Sequence, residues 1–209
     1  ATLLRLAKQF GDTLDRLLAE GISFQDFFSD RVIGTNQALA KHWQDGTRIF
    51  AMTYANWQAK LKQRGEVDLA VRRNQLFEQT SRRWHANPPK SPVIAAGVTG
   101  AAPSLAKLLR TISVLPEGSV ILPDLDLTMP NEAWLELGLA GQPKERGGPT
   151  FSQNEASTHP QYHLKLLLNR MGVAREEVRD WPQKYADAAD PQRSHAISSL
   201  FLPPKASQI

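Results

Sequence analysis

The chain has 209 residues, enough for one large domain or two small ones with a true core. It contains no cysteine, which excludes disulfides, thiolate zinc sites and cysteine nucleophiles and fits a reducing, cytoplasmic setting. No apolar run approaches the roughly 20 residues that a bilayer-spanning helix needs, and no signal peptide is visible, so no membrane partner is expected. The formal net charge of +4 is unevenly spread. Residues 1–90 hold 14 Lys and Arg against 9 Asp and Glu, and residues 91–209 hold 11 against 12. A basic first half attracts polyanions, although this excess is mild. The chain starts inside a helical pattern and stops just after a proline pair, which reads as a segment of a longer polypeptide.

The first half reads as helical. Leu3, Leu6, Phe10, Leu14, Leu17 and Leu18 recur at helical spacing and predict a buried stripe, with Gly21 as its stop. Ser23 is placed to cap a short turn carrying Phe24, Phe27 and Phe28. A long pattern from about Asn36 to Gln63 follows, with Leu39, Trp43, Phe50, Tyr54, Trp57 and Leu61, interrupted at Gly46 and stopped by Gly65. His42 beside Trp43 reads as a packing residue. Asp68 then caps a helix from Leu69 to about Trp84 whose apolar side is Leu69, Leu76, Phe77 and Trp84. Pro88 and Pro89 end the helical region.

From Pro92 the pattern becomes α/β. Val93–Ala96 is apolar without alternation, as in a strand buried on both faces. Gly97-Val98-Thr99-Gly100 turns the chain, Pro103 suits the first turn of a helix, and Leu105, Leu108, Leu109 and Ile112 supply its stripe. Ser119–Leu122 is the next strand, so the pair should be parallel with a right-handed crossover. Asn131 caps a short helix at residues 131–139. Residues 140–158 form a long, glycine-rich loop that is expected to be mobile. Leu164, Leu167, Leu168 and Met171 mark a buried helix ended by Gly172; short elements follow at 173–181 and 191–202.

This strand–glycine turn–helix–strand unit has the outline of a nucleotide site but lacks its chemistry. A phosphate loop needs lysine and a magnesium-binding hydroxyl after the second glycine. Here Gly100 is followed by Ala101-Ala102-Pro103. A dinucleotide fingerprint needs three glycines, and two are present. The turn therefore reads as structural. Asp124 and Asp126 lie past the second strand, where substrates and metals often bind, but two acids alone make no metal site, and turn formation is the expected use. His159 and His163 stand four apart, as a helical metal pair would, without a third ligand or a glutamate after His159. No catalytic residue, no metal site and no cofactor is expected in the chain.

The stretch PVIAAGVTGAAPSLAKLLRTISVLPEGSVILPDLDL at 92–127, followed by HPQYHLKLLLNRMGVAREEVRDWP at 159–182, resembles the AddB subunit of bacterial AddAB helicase-nucleases, in the form found in alphaproteobacteria. Trp43, Trp57, Arg72-Arg73-Asn74 and Trp84 in the helical lead-in also fit, so the resemblance spans most of the chain. It implies a segment of a superfamily 1 helicase-like domain in a subunit that processes double-strand DNA ends for recombinational repair. The helicase half of that subunit is largely inactive as a motor. The family's iron–sulfur nuclease needs cysteines and so is absent from this segment. The implied partners are DNA, as single strands or duplex ends, and an AddA-type helicase-nuclease subunit. In an active helicase the strand after the helical insertion ends in acids that hold magnesium, whereas Val93–Ala96 ends in Ala96-Gly97.

The expected architecture is thus α/β: a helical subdomain at 1–90, then a small parallel α/β subdomain at 91–209. The expected function is a noncatalytic DNA-handling and scaffold segment. The alternative is a structural module that meets the partner subunit through Trp43, Tyr54 and Trp57 without touching DNA. Basic residues gather late in the first half, at Lys60, Lys62, Arg64, Arg72, Arg73, Arg82 and Arg83. Arg72 and Arg83 are eleven apart, close to three helical turns, and align with Gln75 and Gln79. These two arginines are the expected phosphate contacts, extended by Lys60 and Lys62. Arg73 falls nearer Leu76 and Phe77 and is expected to lie over the core edge. The competing use of the basic residues is a solvated face that complements helix dipoles.

Overall fold

The computed structural model describes residues 2–22, 37–142, 150–152 and 154–180, with Ala196 and Leu200; the side chains of 37–45 are outside this description. The elements are α1 (Thr2–Ala19), α2 (Gln37–Arg64), α3 (Leu69–Ala86), β1 (Val93–Ala96), α4 (Pro103–Ser113), β2 (Gly118–Ile121), α5 (Asn131–Glu136), α6 (Tyr162–Met171) and a 3₁₀ turn at Arg175–Glu177. The architecture is mixed α/β, mostly helical, with one two-stranded parallel sheet. Contacts divide the chain into two compact units, residues 1–79 and 80–209, and α3 runs through the division. The expected turn around Phe24, Phe27 and Phe28, the side chains of His42 and Trp43, and the expected helix at 191–202 lie outside the described residues.

In the first unit α2 runs through Gly46 without a break. Phe10 of α1 packs on Phe50 of α2 with ring centroids 4.6 Å apart. Asn74 of α3 donates through Nδ2 to the carbonyl of Leu18 at 2.8 Å, which also accepts from the Gly21 N–H, and so ties α3 to the end of α1. Asp68 caps α3 as expected, its Oδ1 accepting from the Ala70 N–H at 2.9 Å.

Two expected stripes need correction. Leu14 is buried, but Leu3 and Leu6 at the start of α1 are 81% and 59% exposed. On α3, Leu69 and Leu76 are exposed, whereas Ala70 and Ser81 are buried, with Asn74, Phe77 and Trp84 half-buried. The inner positions 70, 74, 77, 81 and 84 step by three or four, which is a helical stripe built from small and polar residues. Phe77 and Trp84 of the expected side lie on this stripe, whereas Leu69 and Leu76 do not.

In the second unit β1 and β2 pair in parallel, Val93 opposite Gly118 and Ala96 opposite Ile121, with α4 joining them. Pro103 stands in the first turn of α4, as its fixed φ and missing donor favour. Gly118 is required by close approach, because a Cβ there would collide with the Ile112 carbonyl and Leu115. Ala106, Leu109 and Ile112 of α4 form the core with Leu166, Leu167 and Met171 of α6, and Val93, Ala95, Val120 and Leu122 pack against them. Among the described residues only one face of the sheet is covered, which corrects the expectation of a strand buried on both faces. Val93 and Ala95 point inward, while Ile94 is 64% exposed and Ala96 is exposed.

Three local corrections follow. Asn131 does not cap α5, whose N-cap is Pro130; its Oδ1 accepts instead from the Arg175 guanidinium. His159 and His163 do not share a helical face, because α6 begins at Tyr162. His159 is 1% exposed and its Nδ1 accepts from the Gln161 N–H at 3.0 Å, whereas His163 is exposed. The described part of the 140–158 stretch is tied down by Glu155, whose carboxylate accepts from the N–H groups of Leu139 and Ala140, each at 3.1 Å, and from Ser152.

The burial pattern sets a contrast between two leucines. Leu167→Ala should destabilise the chain by roughly 2–5 kcal/mol, the range for a buried leucine, whereas Leu3→Ala should cost less than about 0.5 kcal/mol. Denaturant unfolding of the two variants checks this; equal costs would contradict it.

Candidate nucleic-acid interface

The basic surface starts on α3, LAVRRNQLFEQTSRRWHA, which has four arginines and a single carboxylate, Glu78. Arg72, Arg73, Gln75, Gln79, Arg82 and Arg83 are exposed. On an uninterrupted helix Arg72 and Arg83 stand within about 20° of one another and about 16 Å apart along the axis. Gln75 and Gln79 fall near the same line, and Glu78 lies roughly 120° away from it. This stripe therefore presents two cations and two amides with no acid between them. Arg83 is in the last turn, where it also complements the helix dipole. Arg73 is exposed and borders a small cleft beside Asp15, Arg16 and Ala19.

Lys60 and Lys62 are exposed near the end of α2. Two residues apart on a helix, they point about 200° from each other. Lys60 borders an apolar groove between α1 and α2, about 960 Å³, lined by Leu3, Leu6, Phe10, Ile49, Phe50 and Trp57 among others. Trp57 at the groove is 41% exposed and donates through Nε1 to Asp68 at 3.3 Å; Tyr54 is half-buried.

The strand ends show what the glycine turn does. Gly97 has φ +68°, a left-handed conformation that a side chain would strain, and it lets the chain leave β1 at once. Its N–H still pairs with the Ile121 carbonyl at 3.2 Å. The start of α4 has no side-chain cap, and the Ala101 carbonyl just before it accepts from Arg170 at 2.6 Å. Past β2, Asp124 takes φ +54°, which aspartate tolerates, and its carbonyl accepts from Gln161 at 2.8 Å. One carboxylate oxygen of Asp126 accepts from the Thr128 N–H, the Thr128 hydroxyl and the Met129 N–H. That acid is used as a turn former. Among the described residues no group of His, Asp and Glu is arranged to hold a metal.

Sequence reasoning missed a buried polar cluster around Trp134. Lys165 of α6 is 4% exposed, its Nζ donating to the Trp134 carbonyl at 2.6 Å and lying 5.5 Å from the indole centre. Arg175 is 8% exposed, donates to the Met129 carbonyl at 2.8 Å, and stacks 4.9 Å from the same ring. Burial pushes the Lys165 ammonium down to about 8; the Glu155 carboxylate opposes the shift and Arg175 adds to it. Burial, together with the Glu155 carboxylate, pushes the Tyr162 hydroxyl up to about 12. For Glu155 itself burial acts upward and is outweighed by the hydrogen bonds from Ser152, Ala140 and Leu139, so its pKa lies below the ordinary value. The only sequence signal for this cluster was a lysine inside an otherwise apolar helical run, LKLLL.

Among the described residues, no helix is long and apolar enough to cross a membrane. No protein-family model, curated protein or solved structure matches the chain.

Two outcomes follow. The folded chain binds fewer protons than the unfolded one between Lys165's lowered value of about 8 and the ordinary 10.5, so this lysine's contribution to stability should rise with pH across that window. The gain is roughly 1–3 kcal/mol and should vanish in Lys165→Met. Tyr162 acts oppositely above its ordinary value of 10.0, where its raised folded value makes stability fall. Denaturant melts from pH 7 to about 10 check this, and a flat wild-type profile would contradict it. The strand-end geometry predicts no ATP turnover. Phosphate release with magnesium and single-stranded DNA should stay at background, and turnover that is lost in Thr99→Ala or Asp124→Asn would refute this.

Proposed function

We propose that the chain is a noncatalytic, helicase-like DNA-handling and scaffold segment of a bacterial helicase-nuclease subunit of the AddB type. The subunit prepares double-strand DNA ends for recombinational repair in the cytoplasm, beside an AddA-type partner. The reading rests on the resemblance of 92–127 and 159–182. The structural observation that carries the DNA-handling part is the acid-free stripe Arg72–Gln75–Gln79–Arg83 on α3. Arginine forks engage phosphate oxygens, and glutamine amides add donors beside them, so the stripe suits a nucleic-acid backbone and reads no base. A strand–turn–helix unit without lysine at Gly100 or an acid at Ala96 supports a motor fold put to non-motor use.

A second reading has its own observation. The groove between α1 and α2 is apolar, and Leu3, Leu6, Ile49 and Trp57, which line it, are all more than 40% exposed. Such a face suits a structural module for the partner subunit, with Trp57 as an interface anchor. Ile49→Glu in the subunit complex separates the two: loss of the partner with unchanged DNA affinity favours the interface.

A salt titration tests the DNA reading. In the whole subunit complex, Arg72→Ala and Arg83→Ala should each weaken short single-stranded DNA of any sequence and lower the slope of log affinity against log salt by about one. Unchanged slopes in both variants would place the DNA path elsewhere and leave α3 as a solvated face.

A further inference from the structure

Two apolar residues on the outer side of α3 are not used by the nucleic-acid stripe. Leu69 is 83% exposed and Leu76 is 50% exposed. Scattered exposed leucines are ordinary, but these two stand seven residues apart. On the helix they share one line within about 20°, about 10 Å apart along the axis. Val67, just before α3, is exposed as well. Arg72 flanks the line at about 40° from Leu76 on one side, and Arg73 at about 60° on the other. Glu78, the helix's one acid, lies on the opposite side. Leu69 and Arg73 also border the small cleft against α1, to which Arg16 adds a cation and Asp15 an acid. Among the described residues the side chains of Arg16, Arg72 and Arg73 make no hydrogen bond or ion pair, whereas Arg82 is engaged.

Exposed apolar residues at a seven-residue interval, with cations beside them, form one half of a helix–helix seam. Such seams repeat at this interval, and the flanking charges choose the partner. The complement is an amphipathic helix whose apolar stripe is bordered by Asp or Glu. Nucleic acid does not complement the leucines. Its backbone offers phosphates and sugars, which suit the arginines alone. Unstacked bases are held on aromatic faces, and the aromatics of α3, Phe77 and Trp84, lie on its inner stripe. A second copy of this chain does not supply the helix either, because each described helix of ten or more residues carries more basic than acidic residues.

We propose that the Leu69–Leu76 line of α3 is a docking face for an acidic amphipathic helix from a different protein chain. The partner's apolar residues pack on the two leucines, and its carboxylates pair with Arg72 and Arg73. Arg72 is also a phosphate contact in the function proposed above, so the helix and nucleic acid exclude one another at this face. The docking itself does not depend on that function.

The probe is a synthetic amphipathic helix with leucines on one line and glutamates beside them, titrated against the 209-residue chain. A control peptide of the same composition has its leucines scattered around the helix. The first peptide should bind at least about tenfold more tightly than the control, and Leu76→Gln and Arg73→Glu should each weaken it by about tenfold. Neither change should move the melting temperature, because both side chains are exposed. Equal binding of the two peptides, or affinities unchanged in both variants, overturns the proposal. Self-association of the chain that is lost in Leu76→Gln identifies a second copy as the occupant and also overturns it. A Leu76→Gln change that weakens single-stranded DNA and leaves the peptide untouched makes the leucines nucleic-acid contacts, with the same consequence. A peptide that binds as expected but leaves bound DNA in place keeps this proposal and removes Arg72 from the nucleic-acid path.

Discussion

The packing of α6 against α4 is the constraint on which the second unit depends. Seven of the ten residues of α6 are buried, including Lys165, so the helix is surrounded rather than laid on a surface. Leu166, Leu167 and Met171 meet the α4 stripe and, through it, the inner face of the sheet. The other sides of α6 serve as a post for irregular chain. Asn169 donates to the carbonyls of Leu139 and Ala140 at 3.0 and 2.9 Å, and Arg170 donates to that of Ala101. Lys165 reaches the carbonyl at Trp134, and Gln161 bridges Asp124 and Asp126. A two-stranded sheet is too small to organise a domain, and here a buried helix with polar tips does so.

That arrangement explains why charged groups lie inside. Each polar tip meets backbone polar groups of the irregular chain around α6, and burying such groups without a partner is costly. Ala140, held at φ +45° and fully buried, shows the strength of the arrangement: its N–H is taken by Glu155 and its carbonyl by Asn169. Function on this unit is then a matter of what surrounds it. The strand ends are shaped by glycine and by turn-forming aspartates, not by groups that could hold a phosphate. The proposed nucleic-acid contacts lie on α3 instead.

Much of this architecture was legible in the residues. The strand–helix–strand order, Pro103 at the start of α4, the Asp68 cap and the Gly172 stop, with φ +65°, all follow from local chemistry that tertiary packing does not override. The mistakes share a cause. Leucine outweighs alanine and serine in any hydropathy pattern, so Leu69 and Leu76 read as the inner side of α3, whereas the buried positions are Ala70 and Ser81. An apolar run implies a fully covered strand, yet Ile94 is exposed and no described residue covers its face. The Trp134–Lys165–Arg175 cluster was invisible because its partners are 31 and 41 residues distant in sequence from Trp134 and bind through backbone carbonyls, which no motif encodes. The exposed arginines of α3 were legible from helical phase alone.

The central claim is that nucleic acid runs along the acid-free side of α3. A photocrosslinking residue placed at Gln79, between Arg72 and Arg83, tests it most directly when the whole subunit complex is loaded with single-stranded DNA. The account predicts an efficient crosslink from Gln79 and little from the neighbouring position of Glu78, about 100° around the helix. Equal yields from the two positions, or none from Gln79, would contradict it.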